Sequence, residues 1–128
     1  MKIFNRTDTW LEKVNFVDKN NCLIGYDLTQ SCCETADWFI SDSKQSEPQS
    51  RTETPTELPD WEFDPTFIEF VRPGGDSYSP LDEGGMVIFR LVNNSAEKFL
   101  HLYNCHNGYY SHGFTFTSSN EVLHKGHI

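Results

Sequence analysis

At 128 residues the chain is long enough to bury a core without disulfides. It nowhere offers the run of about 18 apolar residues that a membrane-crossing helix needs. Hydrophobic content is a modest 37%, but ten Phe provide bulky core material, and a formal charge of -9 with scattered Lys and Arg disfavours direct nucleic-acid binding.

The first ten residues, MKIFNRTDTW, contain no apolar stretch that would serve as a signal peptide, so a cytoplasmic protein with reduced thiols is expected. Lys13–Asp18 and Cys22–Leu28 flank the turn-rich Lys19-Asn20-Asn21 and read as a hairpin. Cys22, Ile24, Tyr26 and Leu28 then share an inward face, with Cys22 as a small core residue. Ser31 and Glu34 are spaced as a capping box, which predicts a short helix or capped turn near residues 31–38. Its first turn would hold Cys32 and Cys33, where the helix dipole favours a thiolate; nearby Glu34 and Asp37 work against one. Trp38, Phe39 and Ile40 close the segment as a short buried strand.

Residues 42–64 carry seven acidic and two basic side chains, with Pro48, Pro55 and Pro59, and read as a flexible acidic insertion within a single domain. Thr66–Arg72 and Met86–Val92 are strand-like, with Val87, Phe89 and Leu91 on one face. The connection between them contains Asp76, Asp82 and Glu83 without the spacing of a calcium loop.

From Lys98 to Ser118 the chain reads as a β-hairpin turning at Asn107-Gly108, the preferred pair for a type I′ turn. That register places Tyr103 opposite His112 and His101 opposite Phe114. One face would then gather Phe99, His101, Tyr103, Cys105, Tyr110, His112, Phe114 and Phe116. Such a face is either an aromatic core or a site in which His101, Cys105 and His112 approach a shared metal. The core reading is preferred, since His and Cys are commonly buried. The tail from Ser118 onward is polar and expected to fray. The sum is a mainly β, β-rich α+β architecture: an antiparallel meander sheet, curled or barrel-like.

The QSCCE run at 30–34 with Trp38, and NCHNGYYSHGF at 104–114, resemble a group of small uncharacterised bacterial and phage domains. That resemblance implies a small β-rich domain in a phage or bacterial setting and transfers no catalytic residue.

Three functional classes remain. The first, and the one favoured, is a cytoplasmic binding module for an unknown protein partner, with Trp61, Tyr109 and Tyr110 as contacts and a phage-type inhibitor of a host or defence protein as one version. The second is a zinc-binding protein or hydrolase drawing on Cys32, Cys33, His101, Cys105, His106 and His112, whose spacing matches no standard zinc motif. The third is a nucleic-acid mimic, weakened because much of the acidity sits in one insertion.

Overall fold

The computed structural model describes residues 1–8, 11–30, 35–51, 53–72, 84–105 and 111–128. Within these, nine strands are formed: β1 (Lys2–Asp8), β2 (Leu11–Val17), β3 (Cys22–Asp27), β4 (Thr35–Ser41), β5 (Glu62–Val71), β6 (Gly85–Asn93), β7 (Ala96–Cys105), β8 (Gly113–Ser118) and β9 (Glu121–His127). They build two antiparallel sheets, one ordered β1-β2-β3-β8-β9 and the other β4-β7-β6-β5. The mainly β expectation holds. The sheets do not close into a barrel; they pack face to face.

Period-two alternation decides what lies between them. Val14 and Phe16 of β2, Ile24 and Tyr26 of β3, and Phe114 and Phe116 of β8 point inward from the five-stranded sheet. Trp38, Phe63, Val87, Phe89, Leu91, Leu100 and Leu102 meet them from the other sheet. Edge-to-face ring pairs join the layers, with Phe16 and Trp38 at 5.0 Å and Phe89 and Phe116 at 5.1 Å between centroids. The buried Tyr26 hydroxyl donates to the Tyr103 carbonyl at 2.8 Å, and burial holds its ionisation well above the usual tyrosine range.

Three expectations are corrected. Residues 98–118 do not form one hairpin: β7 pairs with β4 and β6, while β8 pairs with β3 and β9. The connection 106–110, including Asn107-Gly108, lies outside the described residues; β7 and β8 on either side of it belong to different sheets. The helix near 31–38 is not seen. Thr35–Ser41 is a strand because Ala36 and Trp38 alternate inward into the shared core, with Asp37 between them; Ser31 and Glu34 lie outside the described residues. The tail does not fray either. It forms β9, and Ile128 is buried, exchanging backbone hydrogen bonds with His112 at 2.7 and 2.9 Å.

The first hairpin forms as expected, β2 with β3, and its turn is tied to the opposite sheet. Asp18 is buried, and its carboxylate accepts from the amides of Asn20, Cys22 and Phe63 at 3.0, 2.9 and 2.9 Å. Asn21 adopts a φ of 61°, which Asn tolerates better than most residues. Described residues of the segment 42–61 touch both layers. Glu57 bridges to Lys2 on the edge strand β1, and the Gln45 amide donates to His101 Nε2 at 3.0 Å on the far face of the four-stranded sheet.

Candidate functional site

Of the described residues singled out from sequence for metal chemistry, His101 and Cys105 share a face and His112 lies apart from them. Phe99, His101 and Tyr103 point away from the sandwich core, on the outer face of the four-stranded sheet, in a second cluster with Phe39, Met86 and Ile88 against which Cys105 packs. His101 is fully buried there and stacks on Phe39 with centroids 4.2 Å apart. Its Nε2 accepts from Gln45, which puts the ring proton on Nδ1, and burial pushes its pKa down to about 4. His112 sits at the end of β8 beside Tyr26, its Nδ1 2.6 Å from the Asp27 carbonyl. Cys32, Cys33 and His106 lie outside the described residues. Among the described residues, no group of three or more His, Cys, Asp or Glu is assembled in a metal-binding arrangement.

Of the aromatic contacts expected for a partner, Tyr109 and Tyr110 also lie outside the described residues. Trp61 is half-buried against the core, and the Lys98 ammonium stands 5.4 Å over its ring. Cys22 is buried as expected; burial raises its thiol pKa, the Ser118 hydroxyl opposes this, and a reactive thiolate is disfavoured.

A different surface stands out on charge. Five basic side chains are held in ion pairs: Lys19 with Glu62, Lys44 with Glu69, Arg51 with Asp37, Arg90 with Asp64 and Glu97, and Lys98 with Asp42. Of the five exposed cations with no ion-pair partner among the described residues, Arg72 stands over the Phe70 ring just beyond β5, and the other four are Lys2, Arg6, Lys13 and Lys125. Register and alternation put all four on one surface, the outer face of the five-stranded sheet. One row across it runs Phe4, Asn15, Gly25, Thr115, Lys125, and the next runs Arg6, Lys13, Asp27. Gly113 and His127 pair beyond Asp27 on β8 and β9.

The middle of this face is hollow. Gly25 and Gly113 carry no side chain, and a cleft of about 410 Å³ opens over them, bordered by Lys13, Asn15, Thr115, Lys125 and His127. A Cβ at Gly25 would come within 3.0 Å of Asn15 Oδ1, so the depression depends on glycine there. Asp27, the acidic residue of the cleft, turns its carboxylate to the Thr29 amide at 2.9 Å. Phe4, 52% exposed, adds an apolar surface between Lys2 and Arg6 on the same strand. The face can therefore receive carboxylates over a glycine floor and apolar groups beside them.

Sequence reading missed this face because its cations are separated along the chain, at positions 2, 6, 13 and 125. The available signal was the polar member of each alternating pair in the strands whose inward members had been identified. Comparison of the chain with protein families, curated proteins and solved structures returned no match. No helix among the described residues is long and apolar enough to cross a membrane.

Proposed function

We propose that the protein is a binding module that takes an acidic segment of a protein partner on the outer face of its five-stranded sheet. The observation that carries this reading is the segregation of charge. In a chain of net charge -9, four exposed cations without ion pairs share one face, around a cleft wide enough for side chains. Unpaired cations retain their full attraction for an incoming anion, whereas those already paired lose much of it.

The same net charge selects among anions. Duplex DNA presents a negative charge about every 1.7 Å over a length far greater than this face, so the acidic remainder of the protein would oppose it. A short acidic peptide meets the cations and ends before the repulsion accumulates. An inhibitor that covers such a segment on a host or defence protein is one form the module would take, in keeping with the bacterial and phage resemblance.

The test is calorimetric titration with a synthetic oligoglutamate peptide, with oligoglutamine and a single-stranded oligonucleotide of equal length as comparators. Oligoglutamate should bind best, and Lys13→Glu and Lys125→Glu should each weaken it about fivefold to tenfold, while Lys44→Glu, on the other sheet's side, leaves it unchanged. Equal binding by all three variants, or preference for the oligonucleotide, would refute the reading.

A further inference from the structure

The outer face of the five-stranded sheet extends beyond its cations. In the row next to the one that begins at Phe4, register sets Lys2, Val17, Leu23, Thr117 and Val122 side by side. Three of these five are apolar, and Val122 is 58% exposed. At its β1 end the row runs into a hollow of about 490 Å³ whose apolar lining includes Phe4, Val17, Pro59 and Trp61. Phe4 and Pro59 are exposed, and Val17 and Trp61 are half-buried, so an incoming group can reach all four. Backbone bonds hold the far wall against β1. The Ile3 amide donates to the Thr56 carbonyl at 2.9 Å, and the Leu58 amide donates to the Met1 carbonyl at 2.8 Å.

Charge sets this hollow apart from the cleft. Glu57 and Asp60 are exposed in its lining, and of its two lysines, Lys2 and Lys19, the second is already paired with Glu62 at 2.8 Å. A carboxylate entering there would meet as much negative charge as positive, whereas an apolar side chain would leave water for an apolar wall. The two depressions also share a boundary. Leu23 lies across the strand pair from Val17 and borders the cleft over Gly25. Val17 and Gly25 are diagonal neighbours, about 7 to 8 Å apart. An extended peptide places its side chains i and i+2 on one face at nearly that spacing, about 7 Å.

We infer that the acidic segment received by this face carries a large apolar residue two positions from its first carboxylate, and that this residue seats in the hollow of Phe4, Val17, Pro59 and Trp61. The inference rests on the acid-binding reading of the face and adds what distinguishes one acidic segment from another. Any run of carboxylates satisfies the cations, but only a segment with the anchor fills the hollow as well. Trp61, singled out from sequence as a partner contact, then serves as part of the wall that the anchor packs against.

The experiment is calorimetric titration with plain oligoglutamate, with oligoglutamate tipped at one end or the other by phenylalanine and a glycine spacer, and with the tipped oligoglutamine counterparts. One of the two tipped acidic peptides should bind about tenfold more tightly than plain oligoglutamate, and its glutamine counterpart more weakly than either. Phe4 and Val17 lie outside the core clusters, so both can be replaced without opening the core. Phe4→Ser and Val17→Thr should each cut the gain from the tip about threefold, and the double variant should abolish it. If plain oligoglutamate binds and neither tip improves it, the inference is overturned while the face remains an acid site. A gain that survives the double substitution overturns the inference as well, because the anchor then seats elsewhere. Equal binding by the tipped glutamate and glutamine peptides, or binding by none of the peptides, overturns the acid-binding reading together with this inference.

Discussion

His101 shows how a single side chain can look like a ligand in sequence and act as packing in the structure. It is flanked by aromatic residues on an alternating strand, a pattern shared by metal sites and by cores, and only the Gln45 amide and the Phe39 ring decide between them. Neither neighbour was visible from its sequence spacing. The buried neutral ring makes stability depend on pH. Its folded pKa is about 4 against an ordinary 6.5, so below pH 6.5 the unfolded chain takes up a proton that the native state refuses. His101 therefore contributes its full share above pH 6.5 and loses it as the pH falls toward 4, on the order of 3 kcal/mol over that interval. Urea midpoints measured for the wild type and for His101→Gln, which keeps an acceptor near Gln45, should diverge in slope across this window, with the variant flatter. Parallel curves would mean that the imidazole does not titrate as described.

At the scale of elements, the strands were legible and their partners were not. β2, β3 and β6 follow from alternation and from the asparagine-rich turns, and β6 joins β7 through Asn94, whose φ is 53°. Alternation states which residues share a face but not which sheet the face belongs to. The aromatic stripes of β7 and β8 therefore looked like one hairpin, whereas His101 and Phe114 lie on opposite sides of the four-stranded sheet. β9 escaped notice because its outward residues, Lys125 and His127, made the tail look uniformly polar. Asp18 was equally unreadable: the end of a strand in sequence, it joins the β2–β3 turn to β5 by accepting three amides. Asp18→Ala should lower unfolding free energy by about 2 to 4 kcal/mol, because the Phe63 and Cys22 amides would remain buried without an acceptor. A denaturation midpoint matching the wild type would show that these amides find other partners.

Across the whole molecule, net charge and charge distribution give different answers. The total of -9 suggests a protein that avoids anions, yet the carboxylates engage cations mainly around the four-stranded sheet, the insertion and the ends of the sandwich. Folding leaves the outer face of the five-stranded sheet with Lys2, Arg6, Lys13 and Lys125 exposed. No linear reading assembles residues 2 and 125, because sheet order β1-β2-β3-β8-β9 is a property of the folded chain. Most of the fold class was thus available from local pattern, and almost none of the site. The most direct measurement is a map of backbone amide NMR shifts on adding oligoglutamate to the isotopically labelled chain. The expected perturbations fall on residues 2–6, 13–17, 23–27, 113–117 and 125–127, and disappear at about 0.5 M salt. A map centred on residues 42–61 or on the outer face of the four-stranded sheet, or one that persists in salt, would contradict the assignment of this face as the binding surface.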